Sequence, residues 1–344
     1  MKFLNREALQ LETKALRVTV LTGGGHIAEI LHKKTGVNPL WIPPWPSIEP
    51  SEYNPQQHHQ YGLSVDSKLL CGIMGHSLCL DFFGPPSNEE LSHGISVHGE
   101  ASVVAYSGKV RDGELFLSAD LPHSMLRVAR VIQIQDDERV RFRESIENLS
   151  TKDRAIGWTQ HVSLGPPFLE AGSTKLTIRA ERSRVFESDG FDSGKLIRGA
   201  DFEWPHAPRL TGDNADLSVF AADARNSSFT AHLMDRSIPT ASFTTYSSGT
   251  QLLFGYEWHR SDFPWLGVWE ESYSRQNPPW NGKVAAYGLE FGVSPFPEGR
   301  TRMMQRETMF GVPAFRWLKG LERVSVEYSA FIRHRSHLVT NPHA

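Results

Sequence analysis

The sequence predicts an all-β protein, one large antiparallel β-sandwich spanning residues 1–344 as a single domain. Three observations carry that expectation. Short runs rich in Val, Ile, Phe, Tyr and Thr recur along the chain between Gly, Asp and Asn clusters. Several of them alternate apolar and polar residues with a period of two, as half-buried strands do. No long run has the 3.6-residue period of an amphipathic helix, and there is no GxGxxG, P-loop or clear internal repeat. At 344 residues the chain is long for one domain, though large all-β domains often reach this size as one unit.

The elements follow in order. ALRVTVL, GGGH and IAEILHKKTG read as a strand, a tight glycine turn and a returning strand. WIPPWPSIEPSEYNPQQHHQYG holds too much proline for a helix or a central strand and is too long for a plain connector. Residues 41–61 are therefore expected to form a functional loop or a lid over a site. From Ser102 to Ser150 a meander follows: ASVVAYSGKV, GELFLSADL, MLRVARVIQIQ and RVRFRESIENLS, with turns at RDG and QDDE. In its last strand Val140, Phe142 and Ile146 share one face, while Arg139, Arg141 and Arg143 form a solvated row on the other. KLTIRAERSRVF, DLSVFAAD, SFTAHLMD, ASFTTYS, QLLFGYEW and RVSVEYSAFIRH continue the pattern.

Charge and composition narrow the function. With 36 basic against 39 acidic residues, no electrostatic field for nucleic acid or a membrane surface is advertised, and neither partner is expected. The opening MKFLNREALQLETK lacks the apolar core of a signal peptide, and no segment is long and apolar enough to span a bilayer. A cytoplasmic protein is the expectation. The two cysteines, Cys71 and Cys79, would share a face if their segment is one strand, and read as buried thiols in a reducing compartment.

Three stretches could carry chemistry. In YGLEFGVSP, Tyr287, Leu289, Phe291 and Val293 take one pleat face, while Glu290 stands between Gly288 and Gly292 on the other. Either Glu290 is exposed on a bulged edge strand, or the glycines clear room for a ligand beside its carboxylate. Just upstream, FPWLGVWEESYSRQNPPWNGK supplies Trp265, Trp269 and Trp280, flat faces suited to the C–H surfaces of a sugar ring. In WTQHVSLGPPFLE, Thr159, His161 and Ser163 share a face near a strand end set by Gly165-Pro166-Pro167. His161 is either a satisfied structural histidine or one half of an acid and base pair with a carboxylate. In HGISVHGEA, His93, His98 and Glu100 admit a metal reading, with His58, His59 and His76 as distant helpers. The His-x4-His spacing has no firm template, so no metal is expected.

In chain order these pieces resemble the galactose mutarotase-like superfamily, the aldose 1-epimerases and their relatives. GGGHIAEILHKKTGVNPLW resembles the family's first hairpin, and HGISVHGEA its His-Gly segment, with His98 matching the histidine that contacts sugar hydroxyls. RFRESIENLSTKDRAIGWTQHVSLGPPF resembles the strands carrying the catalytic histidine, matched by His161. FPWLGVWEES with AAYGLEFGVSPFPEG resembles the late strand pair whose second member carries the catalytic glutamate, matched by Glu290. The likeness covers roughly residues 15–300 and departs from the family in places. The arginine and asparagine usual before the first His-Gly are not obvious. VSLGPPF stands where many relatives have a Tyr-Phe pair, and Asp201 and Asp235 compete for a substrate-binding aspartate.

The resemblance implies the family's supersandwich fold and an isomerase, an aldose 1-epimerase-like enzyme of carbohydrate metabolism that interconverts the anomers of a small-molecule sugar. It assigns Glu290 as general base and His161 as general acid, His98 as a hydroxyl ligand, and no cofactor. Trp265, Trp269 or Trp280 would be the sugar platform. Three alternatives stand beside it. A glycoside hydrolase or lyase would need a second carboxylate about 5–9.5 Å from Glu290, for which Glu270 or Glu271 are candidates. A carbohydrate-binding protein without catalysis could use the same aromatic loops. A hexose-phosphate epimerase would need a basic cluster, with Arg300 and Arg302 as candidates.

Overall fold

The computed structural model describes residues 1–188, 195–221 and 225–335, and these form two large antiparallel sheets packed face to face around one apolar core. The first sheet has twelve strands. From its N-terminal edge it runs through Leu16–Leu21, Ile27–His32 and His76–Asp81 to Arg154–Leu164, Ala285–Gly292 and Trp265–Ser272, and ends beyond Asn226–Met234 at Ala180–Val185 and Asp201–Phe202. The second has eight strands, with the Ser107–Asn148 meander on one side and Thr174–Ile178 on the other edge.

The expected β-sandwich is therefore the observed fold, and most strands fall where the alternation places them. Two details differ. KLTIRAERSRVF is not one strand: Thr174–Ile178 joins the second sheet and Ala180–Val185 the first, so the chain changes sheets at Arg179. In DLSVFAAD, Asp216 ends the short strand Asn214–Asp216 and Val219 forms an isolated bridge with Lys175, with residues 222–224 outside the described set. There Asp216 accepts from both the backbone N–H and the hydroxyl of Ser218, closing a local turn that competes with strand pairing.

Cys71 and Cys79 are free and buried but do not share a strand face. Cys71 ends the four-residue helix Ser67–Leu70, and the chain then turns through Gly72 and Gly75 before Cys79 enters the strand His76–Asp81. Burial pushes the Cys71 thiol up to about 12 and the Cys79 thiol well above its ordinary value, so neither is a ready nucleophile.

Arg139, Arg141 and Arg143 do turn away from the core, each meeting a polar neighbour: Glu257, Gln133 and Glu114. The inward face of that strand holds Glu144 among Val140, Phe142 and Ile146. Glu144 pairs with Arg130 on the neighbouring strand, Oε2 to Nε at 2.7 Å, both side chains almost wholly out of solvent. Its other oxygen accepts from Trp158 Nε1–H and Gln160 Nε2–H, each at 2.6 Å. Gln160 Oε1 accepts in turn from Tyr328 at 3.0 Å and from His76 Nε2–H at 2.9 Å, while His76 Nδ1 accepts from Tyr256. Burial holds His76 neutral, which that chain of donors and acceptors requires.

The proline-rich segment adds no strand, only single 3-10 turns at Pro50–Glu52 and His59–Tyr61. It is tied down by Arg6, whose buried guanidinium donates to Ser47 Oγ and Gly72 O at 2.9 Å and pairs with Glu49 at 3.0 Å. Trp45 Nε1–H donates to Leu70 O and Tyr61 O–H to Pro46 O, closing the loop on itself.

Removing one member of a buried ion pair leaves an uncompensated charge, so Glu144→Gln or Arg130→Met should each cost about 3–5 kcal/mol of stability. The double change Arg130→Met with Glu144→Leu should cost less than the sum, because no unpaired charge then remains. Urea unfolding midpoints of the three variants test this; strictly additive losses would show that the two charges do not depend on each other.

Candidate active site

Three adjacent strands of the first sheet build the site. In the register of Arg154–Leu164, Ala285–Gly292 and Trp265–Ser272, His161 stands opposite Glu290, and Glu290 opposite Gly267. Alternation sends Trp158, Val162, Tyr287, Leu289 and Phe291 into the core between the sheets. His161 and Glu290 therefore project from the other face. There the segment from Trp41 to Ile73 and the turn at Phe83–His98 roof a cavity of about 320 Å³. The Glu290 strand lies inside the sheet, so the edge-strand alternative for it does not hold.

Glu290 Oε1 lies 3.1 Å from His161 Nε2, with both side chains nearly closed to solvent at the cavity floor. Burial pushes the Glu290 carboxyl well above its usual range and lowers His161 to about 4, with Arg275 adding to the latter by charge repulsion. Both shifts favour the uncharged forms, a protonated Glu290 beside a neutral His161. Nδ1 of His161 meets Ser163 Oγ at 3.2 Å, which fixes the ring plane. Glu290 Oε2 has no partner among the described residues, and neither has the indole N–H of Trp269, which lines the same cavity. An acceptor and a donor are thus left for a ligand.

The glycines beside Glu290 have a different cause from the one expected. A Cβ on Gly288 would lie 2.5 Å from Glu290 Oε1 and about 3.0 Å from the Trp269 ring, so its space is filled by the carboxylate itself. A Cβ on Gly292 would meet Thr159 Oγ1 at 2.4 Å and Trp158 O at 2.6 Å, which is close packing between strands. Neither glycine opens room for a ligand.

The two His-Gly steps separate in space. His93 ends the helix Asn88–Ser92 on the surface, bonded to Glu89 O, and Gly94 beside it faces open space. His98 lines the cavity, its ring 5.6 Å from that of His161. Its backbone is left-handed, φ 64°, and Gly99 follows at φ 83° with Leu80 O only 1.9 Å from where a Cβ would be, so this turn requires glycine. Gly84 N–H donates to His98 Nδ1 at 3.0 Å. Burial keeps the ring neutral, so Nε2–H remains its free donor. Glu100 is spent on the backbone and hydroxyl of Ser124. No cluster of three or more His, Cys, Asp or Glu able to hold a metal occurs among the described residues.

Of the tryptophans, Trp269 and Trp280 line the cavity and Trp265 does not. Trp265 lies on the same strand face as Trp269 but roughly 13 Å along it, its indole N–H donating to Pro313 O. Trp280 is stacked by Trp41 at 5.8 Å and by the guanidinium of Arg275 at 4.7 Å, and meets Trp269 edge-on. Glu270 and Glu271 are buried but line no part of this cavity. Arg300 is held by Asp81 and Glu90, and Arg302 is exposed. Asp201 and Asp235 pair with surface arginines.

Sequence reasoning passed over Trp41, Asp66 and Arg275 as individual site residues, all of which line the cavity. Trp41 and Arg275 had a legible signal, the first opening the proline-rich loop and the second standing between Trp269 and Trp280. Asp66 had none, because it reaches the site only through the fold of the roof.

Gly292→Ala should cost about 1–3 kcal/mol in thermal or urea unfolding, since the atoms it meets include backbone that cannot move. Gly288→Ala meets the end of a side chain and should cost less stability, while displacing Glu290 from His161. An unchanged His161 imidazole spectrum by NMR in Gly288→Ala would refute that account.

No protein-family model matches the chain, and no curated protein matches it in sequence. Solved structures do. A candidate aldose 1-epimerase from Klebsiella pneumoniae superposes with a TM-score of 0.69 at 14% identity, over 99% of this chain and 83% of that one. A galactose mutarotase-like protein from Clostridium acetobutylicum gives 0.62 at 14% identity over 97% of each chain. A candidate aldose 1-epimerase from Escherichia coli K12 gives 0.63 at 12%, over 95% of this chain and 99% of that one. At that distance in sequence the likeness is one of architecture: the chain has the galactose mutarotase-like fold.

Proposed function

We propose that the protein is an aldose 1-epimerase-like isomerase that interconverts sugar anomers by proton transfer through Glu290 and His161. The observation that carries this reading is the 3.1 Å approach of Glu290 Oε1 to His161 Nε2, on adjacent central strands at the floor of the cavity. Trp269 and Trp280 offer apolar surface, and His98 Nε2–H and the Trp269 N–H are donors for hydroxyls. The fold shared with candidate aldose 1-epimerases supports the same reading.

The pair's proton count suits the reaction. Transfer of the Glu290 proton to His161 Nε2 across the 3.1 Å separation gives a carboxylate on Glu290 and an imidazolium on His161. The carboxylate takes the proton of the anomeric hydroxyl while the imidazolium protonates the ring oxygen. The C1–O5 bond breaks, an aldehyde forms, and rotation about C1–C2 exposes its other face. Reclosure runs the transfers backwards and returns the pair to its starting state, so no net proton is exchanged with solvent. Burial makes the charge-separated form the higher in energy, so it is reached in the course of the reaction and not held at rest.

Saturation-transfer NMR on a panel of free aldoses measures anomer exchange directly. Wild type should accelerate it on at least one sugar, and Glu290→Gln and His161→Gln should each lower the rate by about 10²–10⁴-fold. A folded wild type with no acceleration on any sugar of the panel would sink the reading. The state with Glu290 protonated and His161 neutral is lost as pH falls through the lowered His161 value of about 4 and again as pH rises through the raised Glu290 value. The rate should therefore hold on the acid side of the raised Glu290 value down to about 5 and drop only near 4. An acid limb at the ordinary histidine value, about 6.5, would show that burial does not hold His161 neutral.

A further inference from the structure

Among the described residues that line the cavity, the charged side chains besides the catalytic pair are Asp66 and Arg275. Arg275 follows the Trp269 strand, where Glu271 organises a tight turn. The Glu271 carboxylate, wholly buried, accepts from Ser274 N–H and Oγ–H at 2.7 Å and from Arg275 N–H at 3.2 Å. Glu271 Oε2 also lies 3.4 Å from Arg275 Nε. The guanidinium is thus steadied at one edge and lies 5.4 Å over Trp269 and 4.7 Å over Trp280. Its two Nη groups donate no hydrogen bond to a described residue, and its side chain is one-third exposed. A half-buried fork of donors, set in the corner between two perpendicular indole rings in the ligand cavity, is built to receive an anion.

We propose that Arg275 binds a carboxylate on the substrate, so that the site takes a monosaccharide acid of the uronate class in preference to its neutral parent sugar; this rests on the sugar-epimerising reading above. Three observations select a carboxylate over a phosphate. The donor group is planar and matches two carboxylate oxygens side by side. It is the single guanidinium lining the cavity among the described residues, and Asp66 lines the same space, so a dianion would meet one cation and one like charge. The cavity of about 320 Å³ also lies at the small end of ligand pockets, with room for one sugar ring. His98 and His161 are held neutral by burial, which leaves the fork as the one permanent positive charge facing such a ligand among the described lining residues.

The test titrates wild type with D-glucuronate, D-galacturonate, D-glucose, D-galactose and D-glucose 6-phosphate. It follows tryptophan fluorescence, which Arg275 contacts through both rings, and measures anomer exchange on the same sugars. At least one uronate should bind about 10- to 100-fold more tightly than its neutral parent, the worth of a charge-assisted pair. Arg275→Gln should erase that difference, and Arg275→Lys, which keeps charge without the fork, should restore only part of it. Equal affinity for uronate and parent sugar, tighter binding of the 6-phosphate, or no binding of any uronate would each overturn the proposal. The comparison among ligands on wild type stands even where a variant does not fold. Uronate binding that depends on Arg275 without anomer exchange would uphold this proposal and defeat the epimerase reading; exchange on neutral sugars alone would do the reverse.

Discussion

The carboxylate of Glu144, buried between the sheets, is the interaction on which the site's geometry rests. It fastens the strand Arg154–Leu164 by its inner face, through Trp158 and Gln160, to the Arg130 strand of the opposite sheet. A slip of one residue in that strand would turn Trp158, Gln160 and Val162 outward and bury His161 in the core. A hydrogen-bonded carboxylate tolerates no such slip, since its partners would be left unsatisfied in a medium where each lost bond is costly. The inner network therefore decides which residues the outer face displays. His161 and Gln160 are neighbours in sequence with opposite duties.

The outer face then sets the chemistry by withholding water. Glu290 and His161 would be an ordinary carboxylate and a titrating histidine on an open sheet. Beneath the roof both lose solvation, and burial raises the proton affinity of Glu290 and lowers that of His161 so that both are held uncharged. That effect needs the roof as much as the sheet. Arg6, from the second strand of the chain, ties the proline-rich loop by Ser47, Glu49 and Gly72, and the aromatic cluster of Trp41, Trp45 and Trp280 fills the space beneath it. Proline and indole suit that task because a loop with few backbone donors and large apolar faces can cover a cavity without ordered secondary structure.

Glu271 repeats the device on a smaller scale. Buried and saturated by its own turn, it holds Arg275 at one edge and leaves the rest of the guanidinium to the cavity. Carboxylates within the fold thus differ: every oxygen of Glu144 and Glu271 is engaged, whereas Glu290 keeps one oxygen without a partner among the described residues.

Much of this was legible in the sequence. Strict alternation named the faces of the His161 and Glu290 strands correctly, because side-chain direction in a strand depends only on parity along the chain. The same parity separated His161 from Trp158 before any sheet was assembled. Pairing was not legible: that His161 stands opposite Glu290, rather than two residues away, is a matter of register between strands more than a hundred residues apart. Nor was neighbourhood. Trp265 and Trp269 have like chemistry and the same strand face, and only their distance along the strand puts one in the cavity and the other outside it. The glycines around Glu290 show the same division. Their lack of side chains was plain from the sequence, but what fills the space, a carboxylate at Gly288 and a neighbouring strand at Gly292, is decided by contacts that exist only when the sheet is formed.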